Sequence, residues 1–130
     1  MPEQAVGTLS RAGKGPIAPP PTHDGLPQAV ADAVAAWPGV AASVHWHLFR
    51  PSEVDGIDFY FGDEEFGHIH LDAWTHIATS SSLGATLVGE GRARPFRHLQ
   101  GWIEARVATI GADAAVALFR RNYERLTQAG

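Results

Sequence analysis

The clearest alternation of apolar and polar positions lies between residues 44 and 77. Val44 to Phe49 sets Val44, Trp46 and Leu48 on one side and His45, His47 and Phe49 on the other, the two-residue period of a strand. Ile57, Phe59 and Phe61 repeat that period, an acidic turn is predicted at Asp63-Glu64, and a return arm runs from about Glu65 to Leu71. Trp74 to Ile77 adds a short fourth strand. Trp102 to Thr109 alternates again, with Ile103, Ala105 and Val107 opposite Trp102, Glu104 and Arg106. Helical spacing brackets these strands. Leu26, Val30, Ala33, Val34 and Trp37 form an amphipathic stripe that starts at Asp24 or Gly25 and stops at Pro38-Gly39. Ser80-Ser81-Ser82 offers N-cap oxygens for a helix through about Val88, ended by Gly89 or Gly91. A last helix begins near Ala112 or Asp113 and carries Val116, Phe119, Tyr123 and Leu126 on one face.

Helix, strands, helix, strand, helix is the order of an α+β domain: a mostly antiparallel sheet of four to five strands with helices packed on one face. The face bearing Trp102, Glu104 and Arg106 is then the more open one. A single domain is expected over residues 25–130. Residues 1–24 hold Gly7, Gly13, Gly15, Pro16, Pro19, Pro20 and Pro21 with few large apolar side chains, the composition of a flexible tail.

With 130 residues the chain can build one core but not two comfortable ones. Absence of cysteine excludes disulfides, thiolate metal sites and a thiol nucleophile. No apolar run approaches the ~20 residues of a membrane span, and the first residues lack a secretory pattern, so a cytoplasmic location without membrane contact is expected. Charge is uneven. Residues 51–91 carry −8 and residues 92–130 carry +4, within a total of −4. Opposed patches of this kind predict a weak, salt-sensitive homodimer if they lie on different sides of the domain. The acidic hairpin argues against nucleic acid, although Arg92, Arg94, Arg97, Arg120, Arg121 and Arg125 offer a basic C-terminal surface.

The candidate chemistry rests on histidine. His45-Trp46-His47 and His68-Ile69-His70 each place two imidazoles on one face of a strand. In the plainer reading those rings donate to carbonyls or carboxylates and pack against Phe or Trp. In the sharper one they converge on a metal, with Asp72 as carboxylate ligand or outer partner, because such sites need three or four ligands from rigid elements. Pairing around an Asp63-Glu64 turn would put His68 and His70 beside Phe59 and Ile57, an aromatic setting. His76 and His98 lie near loops without spaced partners. Candidate ligand-binding residues are therefore His45, His47, His68, His70, Trp102, Glu104 and Arg106. No Gly-x-Gly-x-x-Gly, Walker loop or Gly-x-Ser-x-Gly is present, so no cofactor is expected and no catalytic residue is identified.

The run Gly-Ile-Asp-Phe-Tyr-Phe-Gly-Asp-Glu-Glu-Phe-Gly-His-Ile-His at 56–70, with Gly91-Arg-Ala, Gly101-Trp102 and a terminal helix holding Tyr123, resembles the small bacterial luciferase-domain family of unknown function. The likeness runs from about Val44 to Leu126, and its layout is also similar to YjbR-like domains. It implies a small α+β fold without an established activity. The leading expectation is a module that binds a small molecule or a protein. Alternatives are a His-dependent metal-binding enzyme and a nucleic-acid binder.

Overall fold

Gly62 and Asp63 alone join two long strands, and this tight reversal sets the register of everything around it. The computed structural model describes residues 5–8, 10, 14, 17–20, 22, 25–47, 49–50 and 52–128. Along the chain run α1 (Gly25–Ala35), β1 (Val40–Trp46), β2 (Val54–Phe61), β3 (Glu64–His70), β4 (Trp74–Ile77), α2 (Ser81–Gly89), β5 (Arg94–Pro95), β6 (Ile103–Arg106), α3 (Val107–Ile110) and α4 (Ala112–Thr127). The strands form one antiparallel sheet in the order β1-β2-β3-β4-β6-β5, one strand more than expected. The extra strand is the two-residue β5 inside the basic loop, too short to leave a periodic signal.

The core lies between the sheet and its helices. Ile57, Phe59, Ile69, Ile77 and Ile103 face Val30 and Val34 of α1 and Leu118 and Phe119 of α4, all essentially without solvent contact. Asn122 pins α4 to the sheet: it is fully buried, and its Nδ2 donates to the carbonyls of Phe66 at 2.9 Å and Ala78 at 3.0 Å. Ser80 caps α2 by accepting from the Leu83 amide, as its sequence predicted.

Several expectations change in detail. The first strand begins at Val40 and ends at Trp46 instead of running to Phe49, which is exposed; Leu48 lies outside the described residues, as does Asp24. The last strand stops at Arg106, and Val107–Ile110 coils into a helical turn. Alternation over three residues cannot separate these states, and burial of Val107 is satisfied by either.

The largest change is the register of the hairpin. With a Gly62-Asp63 loop, Phe61 pairs with Glu64 and Tyr60 with Glu65. A bulge then leaves Phe66 as an extra residue, and Phe59 pairs with Gly67 and Asp58 with His68. His68 and His70 therefore stand on the face away from Ile57 and Phe59, not with them. A second bulge lies between β1 and β2, where His45 pairs with Gly56 and Trp46 with Val54, leaving Asp55 as the extra residue.

The sheet face opposite the helices is far from open. Trp102, Asp58, Glu65, Ser43 and His68 are all buried there. Described residues of the N-terminal segment touch this side of the domain: Trp102 Nε1 donates to the Val6 carbonyl at 2.6 Å, and Lys14 Nζ lies 2.9 Å from Glu65 Oε1. Ser10 bridges to Glu64, and the Val44 amide donates to the Ala18 carbonyl.

Candidate metal centre

Register places one polar side chain from each strand in a row across this second face. Ser43 pairs with Asp58, Asp58 with His68, His68 with His76, His76 with Glu104, and Glu104 with Arg94. The neighbouring row contains His45, Gly56 and His70. Because Gly56 has no side chain, rings on the strands either side of it can meet: His45 and His70 stand edge to face with centroids 4.8 Å apart.

Three rings converge at the centre. His68 Nε2 lies 3.2 Å from His70 Nε2 and 3.1 Å from His76 Nδ1, and the latter two are 3.0 Å apart. The remaining nitrogen of each ring faces a carboxylate. His68 Nδ1 is 2.6 Å from Glu65 Oε2, His70 Nδ1 is 2.8 Å from Asp55 Oδ2, and His76 Nε2 is 3.2 Å from Glu104 Oε2. Ionised carboxylates only accept, so each ring donates its N–H outward and turns a bare lone pair inward. Both bulges serve this arrangement. Glu65 and His68 are three residues apart, an odd spacing that would put them on opposite faces of a regular strand; the extra residue Phe66 brings them together. Asp55 is itself the extra residue of the other bulge.

Burial disfavours the charged form of His68 and His76. Desolvation pulls His68 down to about 4 and His76 to about 3, in the latter case helped by the neighbouring rings of His68 and His70. For Glu65 burial works against the charge, yet His68 and Lys14 prevail and hold it below the ordinary carboxylate range. With one nitrogen of each ring committed to a carboxylate, His68, His70 and His76 thus turn their other nitrogens toward one another.

Ring orientation differs among the four histidines. The planes of His68, His70 and His76 cross at 77–82°, so their in-plane lone pairs reach a common point from three directions. His45 instead stacks on His68, with centroids 4.0 Å apart and planes at 13°. One nitrogen from each of His45, His68 and His70 also lies within 4.8 Å of the other two, so His45 borders the same point. His45 donates through Nδ1 to Asp58 Oδ1 at 2.7 Å, and Tyr60 OH donates to Asp58 Oδ2 at 2.9 Å. Burial and then Glu65 push the Asp58 carboxyl up to about 7, while burial pulls His45 down to about 4.

Of the residues singled out from sequence, His45, His68, His70 and Glu104 meet here. Trp102 is buried beside His68 at a ring separation of 6.2 Å. His47 does not join: its Nδ1 accepts from the Phe49 and Arg50 amides. Arg106 points to an adjacent cleft. Asp72 accepts from the Trp74 amide and is no partner of the rings. His76, set aside as a loop residue, is a central member. Its signal was the alternation of Trp74 and His76 on β4. Asp55, Asp58, Glu65, Lys14 and Tyr60 were also missed, although a carboxylate inside Ile57-Asp58-Phe59 signalled a charge facing away from the core.

The Luciferase domain family model matches residues 63–121, a stretch that includes His68, His70 and His76 with Glu65 and Glu104, and leaves out His45, Asp55 and Asp58. No curated protein and no solved structure matches the chain. The matched stretch, residues 63–121, spans β3 to β6 and most of α4, holds the three converging histidines, and is similar to the Luciferase domain family.

Proposed function

We propose that this protein is a metal-dependent enzyme that binds one divalent first-row transition metal through His68 Nε2, His70 Nε2 and His76 Nδ1. The observation that carries the reading is the triangle of three ring nitrogens at 3.0–3.2 Å, each ring fixed from behind by a carboxylate. An ion ~2.1 Å from all three nitrogens would have N–metal–N angles of roughly 90–100°, a facial set that leaves the opposite positions for water or substrate. The surrounding charge supports the reading. Asp55, Asp58, Glu65 and Glu104, when ionised, are offset by Lys14 and Arg94, which leaves −2 for neutral rings. A divalent cation balances that excess.

A metal so held polarises a bound water or substrate oxygen. Carboxylates behind the rings fix the tautomer and raise ligand basicity. His45, held by Asp58 and stacked on His68, would border such an ion and supply a base beside it. The test is metal analysis of untagged protein after dialysis against a weak chelator, with cobalt substitution read by visible absorption. One equivalent of metal per chain is expected, and less than a tenth in a His68→Ala/His76→Ala variant. Protein that retains none and shows no cobalt spectrum would overturn the reading.

A further inference from the structure

Beyond the histidines, the sheet face continues into a cleft of about 380 Å³ between β4, β6, α3 and the turn after α2. Trp74 and His76 alternate on β4, and Arg106 and Glu104 stand across from them on β6. Trp74 and Arg106 line the cleft, whereas His76 belongs to the metal triangle. Glu104 is shared: Oε2 accepts from His76, and Oε1 accepts from Arg94 Nε at 3.0 Å. A ligand in the cleft is thus one carboxylate away from a metal-bound ring.

Charge and surface chemistry select the ligand. Three guanidinium groups line the cleft. Arg92 is paired with Glu90 at 2.8 Å, and Arg94 with Glu104. Arg106 has no ion pair among the described residues, so one positive charge is left over and a monoanion matches it. A guanidinium takes a carboxylate through two parallel hydrogen bonds. The rest of the wall is apolar, with Trp74 and Ile110, and Arg94 lies over the Trp74 ring at 4.8 Å to its centroid. At the low end of ligand-site volumes, the cleft accommodates a small molecule.

We propose that the cleft binds a small organic monocarboxylate with a flat apolar body, its carboxylate on Arg106 and its body against Trp74, as the substrate-binding part of the metal site. This inference rests on the metal reading for its catalytic meaning, but the binding itself does not need the metal.

Isothermal titration of benzoate into metal-free protein tests it, with benzamide and inorganic phosphate as comparators. Saturable benzoate binding is expected, weakened about tenfold or more by Arg106→Gln, an exposed position whose change leaves the fold intact. Benzamide should bind at least tenfold more weakly. No saturable benzoate binding, an affinity unmoved by Arg106→Gln, or tighter binding of phosphate or benzamide would each overturn the proposal. Because metal content is measured on separate samples, loss of the metal reading and loss of this one are told apart.

Discussion

Each of His68, His70 and His76 has one nitrogen committed to a carboxylate and the other directed at the remaining two rings. Two kinds of substitution therefore separate at the level of single residues. Alanine at any of the three should abolish stoichiometric metal retention, since losing a ligand dismantles the site. Glu65→Gln keeps the size of the side chain but loses the charge behind His68, and should weaken metal affinity about 10–100-fold in a competition titration. His45→Ala should leave metal affinity within a few-fold while lowering turnover, because the ring is held by Asp58 and makes no hydrogen-bond contact with His76; loss of metal would make His45 a ligand. Acid acts on the same residues. In metal-free protein His45 and His68 titrate near 4 and His76 near 3, against ~6.5 when unfolded. Between those values the unfolded chain binds more protons than the folded one, so stability falls as pH drops from about 6.5 toward 4. Asp58, raised to about 7, works in the opposite sense, gaining stability as pH falls, but it is one group against three. We expect the thermal midpoint of metal-free protein to decline steadily over that range. A flat profile would show that these rings take up protons alike in the folded and unfolded chain.

Strand irregularities position these side chains, and they can be tested as elements. A Cβ at Gly56 would lie 2.1 Å from the Ile69 carbonyl oxygen and 2.9 Å from His70 Cα, so β2 and β3 could not keep their spacing. Gly56→Ala should cost roughly 2 kcal/mol or more in a denaturant melt and displace His70 from the triangle. Close approach also governs β3 against α4: a Cβ at Gly67 would meet the Phe119 ring at 2.6 Å. Asn122 makes the other bond between these elements. Asn122→Ala leaves the Phe66 carbonyl without its side-chain donor, at a cost of about 1–3 kcal/mol. The Phe66 bulge sits between these two contacts, so its geometry is braced from the helix side while Glu65 holds His68 on the other face.

For the whole molecule, part of the acidic block lies inside the fold, while Glu53, Asp63, Glu64, Asp72 and Glu90 stay exposed. Asp58 and Glu65 are buried, and Asp55 is engaged by His70. Less negative charge therefore remains at the surface to drive a salt-sensitive dimer than the count of −8 over residues 51–91 implies. Sedimentation at low and high salt should show a predominantly monomeric protein at both, and a dimer that dissociates with salt would restore the electrostatic interface. The N-terminal segment enters the same balance. Lys14 lies 2.9 Å from Glu65 and 3.6 Å from Asp58, and these two carboxylates raise its pKa against the opposing effect of burial. Lys14→Met removes the one lysine charge at these groups. Metal-free protein should lose stability, while the metal-loaded form, whose ion supplies the missing charge, should lose less; equal losses would count against a cation at the histidines.

Sequence alone determined the α+β class, the two long hairpin arms, the N-cap of α2, the terminal helix, and that histidine is the candidate chemistry. Those features depend on local period and capping, which a few neighbouring residues specify. It also brought His45, His68, His70 and Glu104 to notice as polar positions on strands. Which of them meet was decided by tertiary structure. A loop of Gly62-Asp63 and one extra residue at Phe66 reverse the facing of β3 relative to β2, and period-two patterning is blind to a bulge because it shifts everything beyond by one. His76 had no partner in its own segment, since its partners come from β3 and β6 across the sheet. Asp55 gained its role only when β1 and β2 paired irregularly around it. A metal site is a convergence of lone pairs at one point, and that is a property of register between strands, which no single strand's sequence contains.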